Sequence, residues 1–311
     1  MSRRLAQSIV LLFIISAVVF SLLHAVPGGP LAIYLENPNV RPEDIERLKH
    51  ALGLDRSLVA QYLTWLGGFV RGDWGYSLSD GRPVTERILE RVPATLELVG
   101  LSLAVALIAV VPVGVLAAVR RGSVFDRATT SLAMAGISLP VFWFGLLLQL
   151  VFAVTLRWLP SSGRASPIGG GAGDHLRHLI LPAIVLASVH GAAWSRFLRS
   201  SMLDALRQRF VLAATARGVP RRLVILRHAF RNALLPLITV VMLDAALIVS
   251  GAVVTESVFA WPGLGGLFTA ALARRDYAVL MAFLMITSFT IVVLNLAADV
   301  VYRSVDPRVR S

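Results

Sequence analysis

"RFVLAATARGVPRRLVILRHAFRNALLP", residues 209–236, lies between two strongly apolar stretches and carries six arginines. It is too basic to enter lipid and too apolar to be a plain solvated linker. Upstream of it and into its first part, Met202, Leu203, Leu206, Phe210 and Ala213 recur at spacings of three or four residues, which predicts a helix over 199–217. Ala213, Ala214 and Ala216 then form a patch with almost no side chain, open to close approach by another surface. Gly218 permits a left-handed turn, and Pro220 suits the first position of a second helix carrying Leu223, Leu226 and Phe230. Pro236 is then expected to open the next apolar run. The segment 199–231 therefore reads as a helix–glycine turn–helix hairpin at a membrane surface.

The surroundings support a membrane chain. Of 311 residues, 56% are hydrophobic and only 15% charged, against about 25% charged in ordinary soluble domains, and the mean hydropathy is +0.74. There is no cysteine, which excludes disulfides, thiolate metal sites and a cysteine nucleophile. The net charge of +12 is almost wholly arginine, Lys49 being the sole lysine.

About 20 apolar residues cross a bilayer core as a helix. Runs at 5–26, 98–119, 128–156, 179–195, 232–255 and 277–298 give six expected spans, the first too long for a signal peptide and without an A-x-A cleavage site. With the N-terminus inside, the cytoplasmic pieces hold 17 basic residues. The short outer pieces hold 5, once the long segment 27–93, with 8 basic and 9 acidic residues, is set aside. Both termini and the quoted hairpin are expected on the cytoplasmic side.

The fold class expected is thus an all-α integral membrane protein with a first transmembrane helix at 1–26, a small helical outer subdomain at 27–93, and a five-helix core at 94–311. Within the outer subdomain, "PEDIERLKHALGL" (42–54) places Ile45, Leu48, Leu52 and Leu54 roughly on one helical face, with Pro42 in the first turn and Gly53 as a C-cap. A second aromatic, amphipathic stretch follows from Asp55. Loop 160–173 is irregular, and there is no convincing internal repeat.

Polar groups inside the spans are few. Asp244 lies about 12 residues from either end of the fifth run, where an unpaired charge is costly. It is either a pathway-facing residue or a buried hydrogen-bond partner of a neighbouring helix; a proton relay would need a second carboxylate at that depth. His190, one turn before Trp194, carries the same two readings, buried structural histidine or pathway residue. Glu97 and Glu256 sit at outer span ends as interfacial hydrogen-bond partners. His175 and His178, after Asp174, share a helix face, but such a pair at a span entry is ordinarily interfacial and no metal site is assigned. Trp261-Pro262-Gly263 suggests a rigid outer turn followed by a flexible segment, and Pro112 and Pro140 suggest kinks.

For the hairpin, the residues leave three readings: an amphipathic element on anionic lipid, a nucleic-acid patch, for which interleaved exposed aromatics are missing, or a dock for a cytoplasmic protein. The alanine patch favours the last. The segment resembles the "EAA" coupling loop of ABC-importer permeases of the dipeptide/oligopeptide/nickel type. The resemblance runs along nearly the whole chain, through "VPGGP" (26–30), "LGLDRSLVAQYLTWL" (52–66), "GDWGYSL" (72–78), "SLPVFWFG" (138–145), "RHAFRNALLPLIT" (227–239), "TESVFAWPGLG" (255–265), "RRDY" (274–277) and "DPRVR" (306–310).

The resemblance implies one of two paired permease subunits, the other a paralogue, with two ATP-binding subunits inside and a substrate-binding protein outside. Leu212, Ala213, Ala214, Ala216, Arg217 and Gly218 would contact the ATPase, while Asp244 and His190 are candidates for the pathway. Cargo implied is di- or oligopeptide; nickel, glutathione and oligosaccharide are alternatives, and a stand-alone secondary transporter is the rival of different class. Departures from the pattern are Leu212 at the signature glutamate, Asp244, His190, and Ala278 in place of a proline. The chain carries no G-x-x-x-x-G-K-[ST] loop, since its one lysine follows Leu48. No cofactor is therefore expected on this chain, ATP and Mg²⁺ belonging to partner subunits; nor is nucleic acid or enzymatic activity.

Overall fold

The computed structural model describes residues 2–26, 29–31, 40–51, 53–166 and 170–305. Parts of the "VPGGP" motif and of loop 160–173, Leu52, and the terminal "DPRVR" lie outside them. The described chain is helical, with one isolated antiparallel bridge between Tyr76 and Pro83.

Helix α1 is Ser2–Ala25, α2 Pro42–Ala51, α3 Leu58–Val70 and α4 Val84–Val119. Next come α5, Val124–Ser138, and α6, Val141–Leu148, which continues as a π-helical segment over Gln149–Thr155. Helix α7 is Ala172–Leu206 and α8 is Arg209–Ala216. The short α9, Arg221–Leu223, runs through a π-helical segment, Val224–Ala229, directly into α10, Phe230–Val258. Helices α11, Leu264–Ala273, and α12, Tyr277–Val305, complete the order.

Among the described residues, five helical stretches are long and apolar enough to cross a membrane: Ala6–Ala25, Val84–Val119, Ala172–Leu206, Arg221–Ala245 and Tyr277–Val300. The expected third span is not one helix. It is the pair α5 and α6, bent by 107°. Leu139 (ψ 129°) and Pro140 (ψ 133°) are both extended, because a proline ring crowds the α conformation of the residue before it. Pro182 and Pro236 stay inside continuous helices. Pro236 therefore does not open the fifth span as expected; that helix is already running from Arg221.

Three further boundaries differ from expectation. The predicted helix over 199–217 is interrupted: Arg207 caps α7, and Gln208 is extended (φ −70°, ψ 145°) before α8 begins. The glycine-rich segment after Trp261, expected to be flexible, is the start of α11, with Gly263 as its N-cap. Pro220 is the N-cap of α9, one position before the first helical residue.

The chain forms two compact units. The first comprises residues 1–94 and 262–292. In it α1 and α3 meet through aromatic rings, Phe20 lying 5.4 Å from Tyr62 and 5.9 Å from Trp65, and Ser16 Oγ shares a 2.7 Å hydrogen bond with Tyr62 Oη. Gly53, with φ +66°, turns the chain between α2 and α3, and Leu54 N–H reaches the Lys49 carbonyl at 2.9 Å.

The second unit comprises residues 95–261 and 293–311. Helix α7 is its centre, packed against α10, α5 and α6. One face of α7, including Leu181, Val185, Trp194, Leu198 and Met202, is fully buried. Gly114 lets α4 approach that face, since a Cβ there would meet Leu198 at 3.0 Å. Asp126, itself buried, is held by both Arg199 Nε and Nη2 and accepts the Gly122 N–H at 2.9 Å, tying the start of α5 to the far end of α7.

Candidate functional site

The elbow between α7 and α9 is built by backbone chemistry. Helix α8 ends with Gly218 N–H on the Thr215 carbonyl at 3.0 Å and Val219 N–H on the Ala214 carbonyl at 3.2 Å. These are the paired bonds of a Schellman terminus, which requires a left-handed residue; Gly218 supplies it at φ +78°. The glycine expected from the sequence as a turn is therefore the terminator of α8.

The alanine patch is divided by the fold. Val211 and Ala214 face inward at 4% and 1% exposure, anchoring α8 to the second unit. Leu212 is 61% exposed, and Ala213, Ala216, Arg217 and Gly218 are exposed with it. So the structure brings five of the six candidate contact residues to one solvent-facing elbow, while Ala214 holds the elbow in place. Leu223 and Leu226, both 47% exposed, add apolar surface on the following arm.

The second candidate site is inside the helical core. Trp194 Nε1–H donates to Asp244 Oδ2 at 2.6 Å, and His190 Nδ1 stands 3.8 Å from the same oxygen. The expectation treated Asp244 and His190 separately; packing of α7 on α10 joins them, with Trp194 as the partner the sequence reading did not assign to Asp244. A carboxylate with a strong charge-assisted acceptor bond has its burial cost offset on that side. The Asp244 side chain nonetheless retains 25% exposure and His190 15%, so the cluster sits at the rim of the seam.

The remaining expected polar groups are locked into hydrogen bonds within the second unit. Glu97 accepts from Arg164 Nη2 at 2.9 Å and pairs with His175 Nε2, while His175 Nδ1 lies 2.9 Å from the Arg164 carbonyl. His178 turns to the Asp174 carbonyl instead, at 2.9 Å. The two histidines thus serve different partners, and no group of three metal-ligating side chains assembles among the described residues. Glu256 is fully buried and accepts the Thr95 hydroxyl at 2.6 Å.

Sequence reasoning missed Asp276. It is fully buried in the first unit, where its carboxylate accepts the Ser77 hydroxyl, the Ser79 hydroxyl at 3.2 Å, the Leu78 N–H at 3.2 Å and Arg87 Nη1 at 3.4 Å. The signal was present in two motifs, "GDWGYSL" and "RRDY", whose joint presence reflects one hydrogen-bonded lock.

Comparison with known proteins agrees with this architecture. Residues 110–311 match the family model described as binding-protein-dependent transport system inner membrane component, and residues 1–99 match the N-terminal model of the same transport-system membrane component. The chain is 41% identical over 309 residues to the oligopeptide transport system permease protein AppB of Bacillus subtilis, covering 99% of this chain and 98% of that protein. It is 38% identical over 330 residues to the dipeptide transport system permease protein DppB of Escherichia coli K12, covering 99% and 97%. Among solved structures, an inward-facing MetNI methionine ABC transporter chain superposes with a TM-score of 0.57 at 17% identity, over 71% of this chain and 96% of that one, which is a likeness of fold. With the family models spanning almost the whole chain and its helices long enough to cross a bilayer, the protein belongs to the multi-pass inner-membrane permease components of binding-protein-dependent ABC importers.

Proposed function

We propose that this chain forms half of a translocation pathway for di- or oligopeptides, paired with a paralogous permease subunit and supplied by an extracytoplasmic substrate-binding protein. Two ATP-binding subunits, carrying ATP and Mg²⁺, dock on the 209–218 elbow from the cytoplasm. The termini lie on that same side, in keeping with the excess of arginine in those pieces. Cargo follows the peptide names of the relatives at 38–41% identity.

The observation that carries the docking reading is the exposed elbow. Leu212 and Phe210, 61% and 41% exposed, project from a short helix on which Ala213 and Ala216 are small and exposed, giving apolar knobs beside a stretch open to close approach. The rigid connection from α8 through Gly218 and α9 into α10 passes a displacement of the elbow directly to the helix that carries Asp244. Closure of the ATPase pair therefore has a mechanical route to the pathway.

Reconstitution tests this reading. Transport of a labelled dipeptide into proteoliposomes is expected only when the paralogue, the ATP-binding subunits, the binding protein and ATP are all present. Peptide movement by this chain alone, driven by an ion or solute gradient, would overturn it.

The pathway role of Asp244 has its own test. Asn at this position keeps an oxygen for Trp194 Nε1–H and removes the charge. In the assembled transporter Asp244→Asn is expected to lower kcat/KM for peptide about five- to tenfold, or about 1–1.4 kcal/mol, with assembly and thermal stability unchanged. Equal losses of assembly and transport would identify the cluster as purely structural.

A further inference from the structure

Asp244 stands at the middle of α10, 14 residues from either end of Phe230–Val258, or about 21 Å of helix on each side. His190 and Trp194 are likewise near the middle of α7, Ala172–Leu206. A hydrocarbon core is about 30 Å thick, so the carboxylate is remote from both headgroup layers, where an ion without a counter-charge is costly.

Other carboxylates of the second unit have found a guanidinium. Asp126 holds Arg199 through Nε and Nη2, and Glu97 holds Arg164 at 2.9 Å. Asp244 holds none among the described residues. Trp194 Nε1–H, 2.6 Å from Oδ2, is a neutral donor, which satisfies one oxygen without cancelling the charge. His190 Nδ1, 3.8 Å from that same oxygen, is beyond hydrogen-bond distance. Oδ1 accepts no hydrogen bond among the described residues, yet it is not one of the enclosed atoms, and the side chain keeps 25% exposure. That oxygen is therefore reachable from the open side of the seam between α7 and α10.

The choice of cation is narrow. A divalent metal would find one carboxylate and one imidazole, and no group of three ligating side chains assembles among the described residues. The C-terminal carboxylate of a peptide is repelled. Its side chains differ from one peptide to the next, whereas every unmodified linear peptide carries an ammonium on its first residue, with three N–H donors.

We propose that Asp244 Oδ1 receives the N-terminal ammonium of the peptide as it passes mid-membrane, with the His190 imidazole beside it and Oδ2 kept in place by Trp194. Asp244 then makes the pathway selective for peptides with a free amino terminus. This inference rests on the pathway reading given above and adds which end of the cargo the carboxylate meets. One charge-assisted hydrogen bond offsets part of the cost of moving an ammonium through this level, without holding the cargo fast.

A two-by-two comparison tests it. The assembled transporter and its Asp244→Asn variant are each supplied with alanylalanine or N-acetyl-alanylalanine on the same binding protein, whose own preference cancels between the two forms. With alanylalanine, Asp244→Asn is expected to lower uptake about five- to tenfold. With the acetylated peptide, slower from the start, no further loss is expected. A loss by the same factor for both peptides, with assembly intact, overturns the ammonium contact and leaves Asp244 in the pathway. Equal loss of assembly and uptake removes the pathway reading and this inference with it.

Labelling of the unaltered transporter decides without the variant or the binding protein. Dicyclohexylcarbodiimide reacts with carboxyl groups in apolar surroundings, and its adduct on Asp244 is read by mass spectrometry. Excess alanylalanine is expected to slow that labelling at least about twofold, the effect of half-occupancy, and N-acetyl-alanylalanine to leave it unchanged. Equal protection by both peptides, or by neither, overturns the assignment.

Discussion

Asp276→Ala is expected to destabilise the first unit by about 3–5 kcal/mol, the usual cost of removing one partner from a buried charged pair. The carboxylate is fully buried and gathers the Ser77 and Ser79 hydroxyls, the Leu78 N–H and Arg87 Nη1. Removing it leaves the guanidinium of Arg87, only 15% exposed, with Asp80 at 3.5 Å as its remaining acidic neighbour. Ser77, 3% exposed, loses its strongest acceptor. Asn at 276 retains one acceptor oxygen and loses the charge, so Asp276→Asn is expected to fall between the two. Thermal unfolding of the solubilised assembly checks this series. A ranking in which Ala and Asn are both indistinguishable from the parent would show that the 75–84 turn is held by other contacts.

The second large effect is expected at the elbow, where fold and docking can be separated residue by residue. Ala216→Trp and Ala213→Trp place a large ring on an exposed face and leave the inward face untouched. They are expected to cut co-purification of the ATP-binding subunits by at least about tenfold, or about 1.4 kcal/mol, at normal membrane insertion. Ala214→Trp is a poor probe of docking, because its 1% exposure means the ring would overpack the fold by about 1–3 kcal/mol. Gly218→Val meets no atom within 4 Å, so its cost is conformational: φ +78° disfavours a residue with a Cβ by about 1–2 kcal/mol. Gly218→Asn, which tolerates the left-handed region, is expected to restore most of the loss. Unchanged ATPase association in the Trp variants would leave the elbow as a lipid-surface element.

These two regions differ in how legible they were. At the elbow, Gly218 and Pro220 punctuate the chain locally, and the turn was readable from residue type, with the start of α9 one position later than expected. The division of the alanines was not, because periodicity places residues on faces without saying which face the fold covers; the break at Gln208 rotated α8 relative to the helix expected over 199–217. At Asp276 nothing local signals burial, since its partners stand up to 199 residues away.

The Asp244 cluster lies between these cases. The charge at mid-span was plain, and so was the choice between pathway and hydrogen-bond roles. The structure supplies the hydrogen bond from Trp194, 50 residues earlier, and leaves part of the carboxylate uncovered. The hydrogen bond from Trp194 is a feature of the fold, and Asp244→Asn tests the pathway reading apart from it.

From the chain of residues alone came the helical class, the positions of the membrane-crossing runs, the excess of arginine in alternate loops, and the glycine that ends α8. Each depends on neighbours within a turn or two, or on a length of apolar residues against the thickness of a bilayer. Tertiary packing decided the rest: that Pro140 breaks its span while Pro182 and Pro236 do not, that Ala214 faces inward, and that Asp244, Asp126 and Asp276 find Trp194, Arg199 and Ser77. A buried polar group must be satisfied wherever a partner can be brought to it, and which distant helix brings that partner is settled only when the helices pack.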